Sequence, residues 1–409
     1  MRSSVLLAVV LGLAVSSCGG TKPPAKGADV TPPASSARTT FASDLAFLKQ
    51  HGDVIVLDAP GGGRVAVSAQ YQGRVMTSAV GDGGDSLGFV YRAFIEGGKT
   101  GTPFDNYGGE DRFWLGPEGG QFGLYFPPGK PFGLDTWQTP ASFQEGAWAV
   151  TKQSAAAVSF ARSMKVVNYS GAAFQLDVTR DVRVLSPQDV EKHLGVELGP
   201  RVSVVAFESD NRIRNSGEGE WKEDKGLVSI WILGMFAPAP DAKVIIPFDA
   251  APGPVANDAY FGKVPADRLK IDEKRGVLVF SCDGAYRSKI GLGPVRARSV
   301  AGSYSPSARL LTVVQYDKPK GATKYVNSMW EVQKEPYGGD VLNSYNDGPP
   351  APGKPSLGGF YELETSSPAA ALAPGASLVH KHRTFHFVGE PADLEAIAQK
   401  ALGVSLDVQ

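Results

Sequence analysis

The stretch GFYELETSSPAAALAPGASLVHKHRTFHFV, residues Gly359–Val388, divides into a strand, a proline-marked turn and a second strand. Aromatic and aliphatic residues alternate with polar ones over Gly359–Thr365 and again over Leu378–Val388, the period of a pleated strand. Pro368 and Pro374-Gly375 punctuate the segment between them. Two residues apart on the first strand, Glu362 and Glu364 point to one face. On the second, His380, His382 and His386 share a face with Thr384, and that face is expected to be wet rather than metal-binding, since it carries no carboxylate.

Upstream of this pair the same period recurs. Strands are expected at Val54–Leu57, Arg64–Ala69, Arg74–Val80, Phe174–Val184, Val202–Phe207, Leu227–Phe236, Lys243–Phe248, Val277–Ser281 and Leu310–Tyr316. Three helices interrupt them. One is capped at Ser43-Asp44 and stopped by Gly52, one starts at Ser186-Pro187 and stops at Gly195, and one runs from Ala392 to Leu402. Gly-Pro-rich stretches near 249–267 and 346–358 are expected as long loops. The fold class is therefore all-β, a large antiparallel sandwich with a few short helices. It occupies residues 41–409, with a division near 250 as the alternative.

Composition agrees. The chain has 409 residues, 49 of them glycine and 30 proline, which favours turns over long helices. Its 41 basic and 42 acidic residues leave a net charge of −1. No basic excess is available to neutralise phosphates, so nucleic acid is not a partner. With only two cysteines, Cys18 and Cys282, neither a disulfide framework nor a Cys-rich zinc site can form. Cys282 follows the apolar run Val277–Phe280 and is expected to be a buried thiol. No phosphate loop, dinucleotide fingerprint, Gly-x-Ser-x-Gly elbow or His-Glu-x-x-His motif occurs, and no cofactor is implied.

The N-terminus is an address. Val5 to Val15 is an apolar run of eleven residues, spanning about 16 Å as a helix, roughly half a bilayer core. It ends in Val15-Ser16-Ser17-Cys18-Gly19, which resembles the bacterial lipoprotein signal. That resemblance implies removal of residues 1–17, lipidation of Cys18 and a membrane as partner, with a cell-envelope location. Residues 18–40 carry four prolines and no aromatic, a semi-extended tether of about 60 Å.

Polar and aromatic residues are densest in Gly108–Phe122, where Glu110, Asp111, Arg112, Trp114 and Glu118 stand between glycines. An indole under the C–H face of a sugar, with charged groups on its hydroxyls, is one use of such a mixture. A structural loop with Trp114 in the core is the other. The Glu362–Glu364 pair has two readings as well: coupled carboxylates suited to acid–base work, or two exposed charges.

Gly359–Val388 resembles the C-terminal part of the galactose mutarotase-like (aldose 1-epimerase) superfamily, through Leu363-Glu364-Thr365, Pro368, Pro374-Gly375 and Thr384-Phe385-His386-Phe387. The run through Trp114, Pro117 and Glu118 is similar to a sugar-side loop of uncharacterised relatives, and Asn215, Trp231 and Pro247 to the middle strands. With its lipoprotein start, the whole chain resembles an uncharacterised lipoprotein family of that superfamily. The resemblance implies a β-supersandwich, a carbohydrate ligand, and Glu364 as the matching catalytic base, with Glu362 a weaker candidate. It further implies that Arg112, Trp114, Glu118, Glu110, Asp111, Asn215 and Trp231 contribute to ligand binding. The strand Leu227–Phe236 lacks the histidine that serves those enzymes as general acid. Three functions follow: sugar binding without efficient catalysis, an epimerase or glycoside-cleaving enzyme using Glu364, or a structural envelope protein.

Overall fold

The computed structural model describes residues 38–407 apart from residue 82. The signal run and Cys18 lie outside the described residues. Two antiparallel sheets dominate. The larger has ten strands, in the order Leu269–Asp272, Val277–Ser281, Lys243–Pro247, Val300–Ser305, Leu310–Tyr316, Ser377–Val388, Ser203–Asn215, Ala173–Val184, Ala157–Val167 and Ala149–Gln153. The smaller has five: Ser288–Leu292, Leu342–Asn346, Tyr361–Ser366, Ser229–Phe236 and Arg112–Gly116. A third sheet of three strands covers Ile55–Asp58, Arg64–Ser68 and Arg74–Ala79. The strand Tyr361–Ser366 lies central in the five-stranded sheet, whereas Ser377–Val388 pairs within the ten-stranded one. The opening segment thus crosses from one sheet to the other through its proline turn.

Alternation explains the layers. Along Ala173–Val184 every second residue is buried, so one face of the large sheet is turned to the core. Phe385 and Phe387 face the opposite way, where Leu394, Ile397 and Ala398 of the terminal helix Pro391–Ala401 cover them. Gly302 permits that close approach, because a Cβ there would stand 2.8 Å from Leu402 Cδ1. The helix Pro187–Leu194 has a Ser186–Asp189 capping box and Gly195 in the left-handed region at its end, as its sequence signals dictate. The first helix, Phe41–His51, is capped one turn earlier than expected, by Thr40 rather than Ser43-Asp44. Asp44 instead receives Arg92 and Thr39.

The histidine face of Ser377–Val388 is dry, not wet. It points between the sheets, where the Thr365 hydroxyl meets His380 Nε2 at 2.8 Å and His382 Nδ1 at 2.9 Å. His386 bridges Thr312 at 2.8 Å and Glu110 at 2.7 Å. Burial first, then neighbouring positive charge, holds His380 down to about 3; His382 falls to about 4, chiefly through burial. Both are neutral at ordinary pH. Among the described residues no group of three or more histidine, cysteine or acidic side chains could hold a metal ion. Cys282 is buried, and burial pushes its thiol up.

Candidate functional site

The five-stranded sheet turns its other face away from the large sheet, and its register decides what that face carries. Arg112 stands opposite Leu233 and Trp114 opposite Trp231. Leu233 is opposite Glu364, Met235 opposite Glu362, and Glu362 opposite Tyr345. Tyr345 is opposite Lys289. With a side-chain period of two, all of these residues project from one face. The run through Arg112 and Trp114, expected as a glycine-flanked loop, is therefore an edge strand, which is why those two side chains point the same way.

Loops wall this face into a cavity of about 110 Å³. Glu118 comes from the turn beyond the edge strand, Trp137 from the following loop, Phe261 from the long 249–267 loop and Trp330 from the loop before Leu342. Gly119 lets the Glu118 turn close on the Trp330 loop, since a Cβ there would lie 2.5 Å from the Met329 carbonyl oxygen. Four of the six tryptophans, 114, 137, 231 and 330, line the cavity. Four roomier hollows of about 370 to 720 Å³ lie elsewhere among the described residues. The Lys99, Glu145, Lys263 and Glu273 that help line the two largest are exposed to solvent.

Arg112, Lys289 and Glu118 are each buried at the cavity with a hydrogen-bonded side-chain partner. Arg112 donates through Nη2 to Glu362 Oε1 at 2.7 Å, and its guanidinium lies 4.0 Å from the centre of the Trp114 ring. Lys289 Nζ donates to Glu364 Oε2 at 2.8 Å, and Trp231 Nε1 donates to the same oxygen at 2.9 Å. Trp137 Nε1 donates to Glu118 Oε1 at 2.8 Å. Burial opposes the Lys289 ammonium, but Glu364, Glu118 and Glu362 together hold it above the usual lysine value. Burial, reinforced by the Glu364 carboxylate, pushes Glu362 up to about 8 against the pull of Arg112. Burial likewise raises Glu118.

The structure brings Arg112, Trp114, Glu118, Trp231 and Glu362 together around the cavity. Glu364 sits fully buried between Lys289 and Trp231, with its carboxylate held by both, and is not part of the lining. Three expected ligand residues are placed elsewhere. Glu110 is turned between the sheets onto His386. Asp111 receives Arg180 at 2.6 Å and Ser209 at 2.7 Å in the same buried layer. Asn215 ties a turn, donating to the carbonyls of Gly219 and Leu372. All three satisfy backbone or core polar groups, as buried polar residues must.

Sequence reasoning did not single out Lys289, Arg287, Trp137, Trp330 or Phe261. A signal existed for the first two: Arg287, Lys289 and Gly291 alternate with Ser288, Ile290 and Leu292 between glycines. Charges on the inward-turned face concealed it as a strand. The isolated aromatics in glycine- and proline-rich loops gave no periodic signal at all.

This architecture defines a galactose mutarotase-like β-sandwich. An aldose 1-epimerase candidate from Escherichia coli K12 has a similar fold, with a TM-score of 0.50 at 12% identity, over 82% of this chain and 99% of that one. A galactose mutarotase-like protein from Lactobacillus casei ATCC 334 aligns over 82% of this chain and 100% of its own, at 11% identity and a TM-score of 0.43. Among curated proteins, none matches. Residues 39–408 match the family of unknown function DUF6786, and the chain belongs to that family.

Proposed function

We propose that the protein is a lipid-anchored carbohydrate-binding protein of the cell envelope, whose cavity holds a sugar without efficiently interconverting its anomers. Four indoles provide apolar surface for sugar C–H groups, while Arg112 and Glu118 offer charge-assisted hydrogen bonds to hydroxyls and Glu362 a further polar partner. One observation carries the non-catalytic part. Glu364, at the position matching the mutarotase base, is bonded to Lys289 Nζ and Trp231 Nε1. A base must reach the proton it removes, and Glu364 stands outside the cavity lining with one carboxylate oxygen already held by two donors. The lipid anchor rests on the Val5–Val15 run and Cys18.

A second reading, glycoside cleavage, is favoured by the two lining carboxylates Glu118 and Glu362, both raised by burial so that one could carry the acid's proton. One set of assays separates the two. Calorimetric titration with mono- and oligosaccharides should show saturable binding. For any sugar bound, NMR exchange between anomers should run at the buffer rate, and no reducing ends should be released from glycosides. Anomer exchange above the buffer rate would contradict the non-catalytic reading, and released reducing ends would favour glycoside cleavage.

A further inference from the structure

Resting on the reading of the cavity as a sugar site, we propose that the sugar it takes carries a carboxylate, received by Arg112 with Lys289 and Arg287 beside it. The lining presents unused donors. Arg112 is 3% exposed, yet its Nε and Nη1 have no hydrogen-bond partner, and neither has the indole N–H of Trp114 on the same strand. Buried donors left empty are costly, and a ligand rich in acceptors relieves that cost. Among the fully buried carboxylate oxygens described beside the cavity, the one without a partner, Glu364 Oε1, belongs to a side chain outside the lining.

The charges lean the same way. Arg112, Arg287 and Lys289 all line the cavity, against Glu118 and Glu362, with Glu364 already engaged by Lys289. Arg287 is half-buried, with its guanidinium 3.6 Å from the centre of the Phe261 ring. Glu362 faces Arg112 from the edge strand, Glu364 on its own strand, Lys289 two strands away and Asp347 beyond the Leu342–Asn346 strand. Since burial and the surrounding carboxylates push it up to about 8, Glu362 keeps its proton at neutral pH and does not neutralise Arg112. The lining then carries an excess of positive charge, which a monoanionic sugar offsets. Among anions, a planar carboxylate matches the flat guanidinium that lies along the Trp114 ring.

The test is calorimetric titration of the full chain with glucose, galactose, their uronic acids and glucose 6-phosphate. Both uronates should bind at least about tenfold tighter than the parent sugars, the gain expected of hydrogen bonds to a charged group. Uronate affinity should fall as pH rises from 7 to 9, because Glu362 ionises and claims Arg112, while the ligand's own carboxylate stays charged throughout. Arg112→Lys should lose the uronate preference. Since Arg112 is buried and its substitution could unfold the chain, Arg287→Ala, at a half-buried position, provides the second variant and should narrow the preference several-fold with an unchanged melt. Parent sugars that bind as tightly as uronates would overturn the proposal and leave the sugar site standing. Tighter binding of the phosphate, a flat pH profile, or a preference that survives both substitutions would also overturn it. If no sugar of either kind binds, the sugar reading itself falls.

Discussion

Lys289→Met is expected to lower folding stability by about 3–5 kcal/mol, read from urea unfolding at neutral pH. Glu364 is fully buried, and its carboxylate has two partners, Lys289 Nζ and Trp231 Nε1 on one oxygen, with the other oxygen unpaired. Removing the ammonium leaves a buried charge with one neutral donor, and the desolvation already incurred is no longer offset. The double variant Lys289→Met/Glu364→Gln should recover most of the loss, since an uncharged pair of similar volume carries no such penalty. A Lys289→Met protein within about 1 kcal/mol of the parent would show that Glu364 is not held as a charged pair.

The second large effect concerns Trp114. Only 3% exposed, its ring packs against Phe104 and Trp231 at 5.8 Å each and Tyr125 at 5.3 Å, with the Arg112 guanidinium at 4.0 Å. Trp114→Ala should therefore cost about 3–5 kcal/mol, the range for truncating a buried aromatic, and should also abolish ligand binding by collapsing the cavity wall. The two alternatives left open by composition, core residue or sugar platform, are not exclusive: Trp114 belongs to the core cluster and also lines the cavity. A Trp114→Ala variant that melts like the parent would contradict that placement.

The fold was legible where apolar residues alternate or run together. Phe174–Val184, Val277–Ser281, Leu310–Tyr316 and Leu378–Val388 match observed strands to within a residue, the first burying one face and Val277–Ser281 and Leu310–Tyr316 burying both. Strands that carry the site were hard to see for the reason that makes them functional. Arg112–Gly116 and Ser288–Leu292 turn charges toward a walled cavity, so their inward residues read as polar and their periodicity is masked. Of the site itself, Arg112, Trp114, Glu118, Trp231 and Glu362 were legible from local composition and family resemblance. Glu110 and Asp111 share that composition, but Gly108 and Gly109, at φ of 81° and 105°, turn the chain so that both acids enter the layer between the sheets. The Lys289 partner of Glu364 lies 75 residues away in sequence. Only the strand register joins them, and register is set by the whole sheet.

Intrinsic tryptophan fluorescence during sugar titration tests the central claim, that a carbohydrate occupies the cavity on the five-stranded sheet. Four of six tryptophans line that cavity, whereas Trp148 and Trp221 are buried in the core away from it. A bound sugar should change the emission saturably, with the midpoint found by calorimetry. Binding heat without a change in emission would place the sugar elsewhere, and no saturable response to any sugar in the panel would contradict the account outright.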